Sequence, residues 1–198
     1  MAVRPLAVAI TGGIAAGKSE ALAAFARHGA AVASADDNVH RVYREDGELK
    51  EALRARWGDG VIDAGGEVDR AAIGRIVFAD RAELAWLEGE LHPRVRRLQT
   101  EWFDELRSRD DPPALAVVEI PLLYETGGES RFDKVVVITA PPELRESRRG
   151  VFPDREARLV PEEEKMRRAD FAFVNDGTLA ALDVFVAGVV ERLSSSAG

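Results

Sequence analysis

The chain contains no cysteine in its 198 residues. That absence excludes disulfides, thiolate catalysis and cysteine-ligated metal, and is compatible with a reducing compartment. Positive charge is in deficit, 27 Lys and Arg against 35 Asp and Glu, for a net charge of -8. Such a field repels nucleic acid and anionic membrane surfaces, so neither is an expected partner. Any anionic ligand must be held by a local cationic site. No apolar run approaches the length of a membrane span, and Met1 to Leu6 leads into a short apolar stretch without a signal-type cleavage region, so the expected location is cytoplasmic. The three histidines, His28, His40 and His92, do not have metal-ligand spacing.

Hydrophobic residues make up 46% and charged residues 31%, a balance that supports a folded core. Leu6 to Thr11 is an almost wholly apolar run, as expected of a strand buried on both faces of a parallel sheet. Further strands are expected at Ala30 to Ser34, Leu115 to Ile120, Lys134 to Ile138 and Phe171 to Val174. Helical spacing follows the first strand over Lys18 to Arg27, with Leu22 and Phe25 on one face and Gly29 as the stop. In the last helix, Leu179, Leu182, Val186, Val189, Val190 and Leu193 form a packing stripe. Strands alternating with helices predict an α/β fold with five parallel strands flanked by helices. Roughly eighty residues of mainly helical pattern separate the second and third strands, too many for an ordinary crossover. Leu91, Val95, Leu98, Trp102 and Leu106 mark one face of a helix there, and His92-Pro93 reads as a helix start with Pro93 in the first turn.

Between the first strand and its helix lies Gly12-Gly13-Ile14-Ala15-Ala16-Gly17-Lys18-Ser19. Glycines at these positions permit close approach and positive φ angles, so that backbone N–H groups converge on phosphate oxygens. The following helix adds its positive end. Lys18 is placed to reach the β and γ phosphates of a nucleoside triphosphate, and the Ser19 hydroxyl to ligate Mg²⁺. Glu20 belongs to the same loop-to-helix junction, and riding on the helix surface is its plain reading.

Ligands of open α/β sheets gather at the carboxyl ends of the strands. Asp36, just beyond the second strand, is placed to accept a proton from an attacking hydroxyl or to organise Mg²⁺; helix N-capping is the competing reading. Glu119, at the end of the third strand, either holds the metal through water or anchors the loop. Arg145, Arg148, Arg149, Arg155 and Arg158 crowd one segment, which is either a lid bringing guanidinium groups over phosphate or a solvated helical face. Arg41 and Arg70 either contact an anionic acceptor or are surface arginines.

Taken together, these motifs resemble the dephospho-coenzyme A kinase family. The likeness runs through nearly the whole chain. It rests on Ile10-Thr11-Gly12-Gly13-Ile14 with Ala16-Gly17-Lys18-Ser19, on Ala35-Asp36, and on Asp69-Arg70 followed by Val77-Phe78. It continues through Leu91-His92-Pro93, Pro121-Leu122-Leu123-Tyr124-Glu125, and Ala169-Asp170 with Asn175-Asp176-Gly177.

The resemblance implies a P-loop core at about residues 1–38, 113–142 and 169–198, a helical insertion receiving the CoA moiety at about 39–112, and a short lid closing over ATP at about 143–168. It implies transfer of the ATP phosphoryl group to the ribose 3′-hydroxyl of dephospho-CoA, the last step of CoA biosynthesis, with Mg²⁺ and no obligatory protein partner. Asp36 becomes the general base beside Lys18 and Arg145. Gly12, Gly13, Ala15, Ala16, Gly17, Lys18, Ser19, Glu20 and Arg148 surround the phosphates, with Asn175 and Gly177 near the adenine. Asp36, Arg41, Arg70, His92, Leu122, Leu123 and Glu125 serve the acceptor, and Ser19 and Glu119 the metal. The chain departs from the family pattern at Ser34, Glu119, Ala16, Glu20 and Leu159, and its lid looks shortened. A nucleoside or sugar kinase on the same core is the nearest alternative. A GTP-dependent switch is more remote, because no Asn-Lys-x-Asp base-recognition sequence follows the loop.

Overall fold

The computed structural model describes residues 4–149 and 159–195, so Arg155 and Arg158 of the arginine-rich segment lie outside the described residues. Two compact units are present, Met1–Ala35 with Glu105–Gly198, and Asp36–Asp104. Among the described residues no helix is long and apolar enough to cross a membrane.

The first unit is built on a five-stranded parallel sheet in the order β2-β3-β1-β4-β5. Its strands are β1 (Leu6–Gly12), β2 (Ala31–Ser34), β3 (Leu115–Glu119), β4 (Lys134–Thr139) and β5 (Phe171–Val174). The apolar runs of β1, β3 and β4 are buried because these three strands are central and covered on both faces. Alternation along the strands sorts the side chains into two layers. Val8, Ile10, Leu115, Val117, Val136 and Ile138 point into a layer with α1 (Lys18–Arg27) and the C-terminal helix, while Ala9, Val135 and Val137 share the other with Leu123 and Tyr124. Phe25 of α1 is fully buried in the first layer, a burial that stabilises by roughly 1.5–3 kcal/mol. At the edge, β5 is only half covered, with Phe171 and Phe173 turned inward.

Gly29, at φ +87, ends α1 as its spacing predicts: the Ala30 N–H bonds the Phe25 carbonyl beyond the last turn. Of the stripe expected in the C-terminal helix, Leu182, Val186, Val189 and Leu193 are buried, and Phe185 stacks on Phe173 with ring centroids 4.8 Å apart. Leu179 does not join them. It is the first residue of that helix (Leu179–Ser195), where the turn below it is missing, and it is 64% exposed.

The second unit consists of α2 (Ala35–Glu45, from Asp36 onward), α3 (Gly47–Trp57), α4 (Arg70–Ala79) and most of α5 (Arg81–Arg107). Its own core includes Val42, Tyr43, Leu49, Leu53, Ile73 and Val95. Asp46 caps α3 by accepting the Leu49 N–H, and Asp69 caps α4 by accepting those of Ala71 and Ala72. The expected helix start at His92-Pro93 is corrected: Pro93 lies inside the 27-residue α5. Its ring removes the N–H that would bond the Gly89 carbonyl, but the apolar stripe continues through Leu87, Leu91, Val95 and Leu98, and this packing carries the helix past the proline.

Candidate active site

The loop from Gly12 to Ser19 joins the central strand β1 to α1. Gly12 has φ +141, and a Cβ there would stand 1.8 Å from the Ile138 carbonyl oxygen on β4. Only glycine lets the two strands approach so closely at the mouth of the loop. Beyond it, Ala15 has φ +58 and Gly17 φ +96; Ala15 is the only non-glycine with positive φ among the described residues. A left-handed backbone is costly for alanine, and strain of this kind persists where surrounding contacts over-determine it. Here the Ala15 carbonyl accepts a hydrogen bond from Arg148 Nη1 at 3.1 Å, and the next carbonyl, of Ala16, accepts one from Asn175 Nδ2 at 2.9 Å. Left-handed residues in such a loop turn successive backbone N–H groups into a concavity suited to an anion.

Gly17 is the N-cap of α1 and makes no side-chain cap hydrogen bond, and the N–H groups of a helix's first turn have no partner within the helix itself. Lys18 folds back and donates from Nζ to the Gly13 carbonyl at 2.7 Å. Ser19 and Glu20 are both exposed on the first turn, which agrees with Glu20 on the helix surface.

The carboxyl ends of the strands carry the remaining groups. Glu119, 9% exposed, pairs in register with Ile10 of β1 and Ser34 of β2. The chain beyond it runs alongside β1, with Ile120 N–H bonded to the Ile10 carbonyl and Thr11 Oγ1 donating to that of Pro121. Asp36 lies in the first turn of α2, directly after β2, with Ser34 and Ala35 before it; it is exposed and has no hydrogen-bond or ion-pair partner among the described residues. It is therefore inside the helix, and the N-cap reading does not describe it.

Helix α6 (Pro142–Arg149) and the next described helix, α7 (Glu162–Arg168), flank the undescribed stretch. Arg145 donates from Nε to the Ala140 carbonyl at 3.1 Å and pairs with Glu162 at 3.3 Å. The other oxygen of Glu162 accepts a hydrogen bond from Thr139 at the end of β4, and Oε1 would lie 2.0 Å from a Cβ placed on Gly13. Neither Glu162, which sits in a run of three glutamates, nor the left-handed Ala15 carries a local signal that points to this site.

Of the residues expected beside the ligands, Asn175, Leu123 and Glu125 have partners within the fold. Asn175 is 3% exposed with its amide under the loop, while Gly177 is exposed. Leu123 is fully buried in the sheet layer and Leu122 is 42% exposed. Glu125 binds Lys165 Nζ at 2.6 Å and the Val160 N–H at 3.0 Å.

Within the helical unit, Arg41 pairs with Glu45 at 2.8 Å, and Arg41 and then Arg44 hold the Glu45 carboxyl below the usual carboxylate range. Arg41, Glu45, Asp46 and Arg97 line a cleft of about 420 Å³. Burial pushes the Tyr43 hydroxyl up to about 12, against the opposing pull of the Arg70 charge. Arg70 itself is exposed at the start of α4, and His92 is half-buried in the middle of α5.

Comparison with known proteins bears on the same residues. The family described as CoaE, dephospho-CoA kinase, matches residues 6–181. Dephospho-CoA kinase from Mesorhizobium japonicum is 37% identical over 201 residues, covering 98% of this chain and 99% of the relative. That from Rhodopseudomonas palustris is 38% identical over 174 residues, covering 84% of each. Among solved structures, TT1252 from Thermus thermophilus superposes with a TM-score of 0.76 at 34% identity, over 96% of this chain and 98% of that one. Dephospho-CoA kinase from Campylobacter jejuni does so with a TM-score of 0.74 at 27% identity over the same shares. A strand, phosphate loop and helix at the centre of the parallel sheet, inside a match that extends from β1 into the last helix, leave one assignment: the chain is a kinase and belongs to the dephospho-CoA kinase family.

Proposed function

We propose that the chain transfers the γ-phosphoryl group of ATP to the ribose 3′-hydroxyl of dephospho-CoA, releasing ADP and CoA, with the division of labour that follows. The observation that supports it most is the loop itself: left-handed Ala15 and Gly17 stand at the entry to α1, and a bend of this kind before a helix N-terminus suits the binding of phosphate by backbone N–H groups. Those groups bind the β and γ phosphates. Lys18 leaves the Gly13 carbonyl to follow them, and Arg145 and Arg148 cover them from α6.

The donor set suits a hard divalent cation brought in with the nucleotide: a serine hydroxyl at Ser19 and a carboxylate at Glu119 are oxygen ligands, and among the described residues no histidine or carboxylate cluster forms an independent metal site. Mg²⁺ held by these residues would supply charge neutralisation to the phosphoryl group being transferred. Asp36, exposed and without a partner among the described residues, accepts the proton of the 3′-hydroxyl as the hydroxyl oxygen bonds to the γ phosphorus and the bridging oxygen leaves with ADP. The helical unit receives the CoA moiety, with Arg41, Arg70, His92 and Leu122 on the acceptor side. The substrates are small and soluble, so the reaction needs neither membrane nor nucleic acid nor an obligatory protein partner, and is assigned to the cytoplasm.

Purified protein given Mg-ATP and a panel of acceptors tests the reading. ADP should form with dephospho-CoA and not with free nucleosides or sugars. Turnover with a nucleoside and none with dephospho-CoA overturns the acceptor; tight GTP binding with no phosphorylated acceptor points to a switch instead.

A further inference from the structure

Helix α7 returns the chain from the undescribed stretch to the core, and three of its side chains, one turn apart, fasten it. Glu162 reaches Thr139 and Arg145 beside Gly13, Lys165 meets Glu125, and Arg168 pairs with Glu129 while its guanidinium stacks 4.3 Å from the Tyr124 ring centre. The middle contact differs in kind from the others. Lys165 is 1% exposed and Glu125 11%, so the charges neutralise each other away from water. Glu125 Oε1 also accepts the Val160 N–H just before α7, while its buried Oε2 has no hydrogen-bond partner among the described residues. An ammonium and a carboxylate so enclosed are costly to separate, which restrains the short helix that carries Lys165.

We propose that Glu125 and Lys165 are positioning residues for phosphoryl transfer: their buried pair sets α7 in the register that aims Glu162 at Arg145, and so orients the Arg145 guanidinium toward the phosphate loop. The motif glutamate after β3 thereby acts on the nucleotide side through α7, not on the acceptor. This inference rests on Arg145 facing the phosphates. The path is short and contiguous: Glu125 to Lys165, three residues back along α7 to Glu162, then across 3.3 Å to Arg145.

The test is a kinetic cycle on the full chain with Mg-ATP and dephospho-CoA. Removing one partner leaves a buried charge unmatched, so the informative variant is the neutral pair Glu125→Gln/Lys165→Met, whose glutamine oxygen can still accept the Val160 N–H. It should unfold near the wild-type temperature, keep the KM for dephospho-CoA, and lose about tenfold in kcat, a coupling of the size contacting residues show. Adding Arg145→Ala should cost little more than Arg145→Ala alone. A merely smaller folded fraction would instead multiply with the Arg145→Ala loss. Glu162→Gln, on a partly exposed side chain, should reproduce the same non-additivity and serves if the neutral pair does not fold. Wild-type kcat in either variant, or losses that multiply with Arg145→Ala, overturns the positioning role while Arg145 remains a phosphate ligand. A fully active Arg145→Ala variant refutes that ligand role and the positioning role together.

Discussion

Asn175, the residue after β5, donates its buried side-chain amide to the Ala16 carbonyl at 2.9 Å while its own N–H bonds the Thr139 carbonyl at 2.7 Å. It ties the edge of the sheet to the underside of the phosphate loop. Asn175→Ala should therefore lower stability by about 1–3 kcal/mol, the cost of orphaning a buried acceptor, and raise the KM for ATP. Denaturant unfolding and steady-state kinetics check both. Unchanged stability with an altered preference between ATP and GTP would return Asn175 to the adenine-side role its motif implies.

Gly12→Ala is expected to be far more damaging than a methyl group usually is. The added carbon meets a backbone oxygen of β4 at 1.8 Å, and neither strand can withdraw without losing the pairing of Gly12 with Ile138. Soluble yield and the thermal midpoint should both fall sharply. Gly47→Ala, with nothing within 4 Å of the new carbon, is the control and should be near neutral.

The strands were legible because burial on both faces demands unbroken apolar runs, and a run such as Leu115 to Glu119 has no other economical use. The loop was legible because its glycine and lysine spacing has one main purpose. What escaped was context. Pro93 broke no helix because tertiary packing on both sides outweighed its missing donor, and Leu179 was exposed because a stripe loses its floor at a helix start. Ala15 took the left-handed conformation that composition assigns to glycine. Glu125 and Lys165 are forty residues apart in sequence, and no local pattern announces that they meet.

Lys18 and Asp36 should separate binding from chemistry. Asp36→Asn is expected to leave ATP affinity nearly intact and lower turnover by roughly a hundredfold or more, the scale of a lost general base. Lys18→Ala should weaken ATP binding and turnover together, because the ammonium contacts the phosphates before and during transfer. Equilibrium titration with ATP beside single-turnover measurements distinguishes the two. Near-normal turnover in the Asp36→Asn variant would remove the base, and unchanged ATP affinity with unchanged rate in the Lys18→Ala variant would contradict the loop assignment.

The helical unit should carry an alkaline limit of its own. Burial raises the Tyr43 hydroxyl from 10.0 to about 12, so the folded state favours the protonated form. Below pH 10 the group is neutral in both states and its environment contributes fully; between pH 10 and 12 the unfolded chain ionises first, and that stability is lost. One pKa unit corresponds to about 1.4 kcal/mol, which sets a ceiling of roughly 2–3 kcal/mol across the window. Tyr43→Phe has no proton to lose, so its unfolding free energy should fall less steeply than wild type from pH 9 to 11.5. Tyr124 and the lysines titrate in both proteins and cancel in the difference. Denaturant midpoints at half-unit pH steps give the comparison, and parallel curves would mean that the Tyr43 hydroxyl is ionised as easily in the fold as outside it.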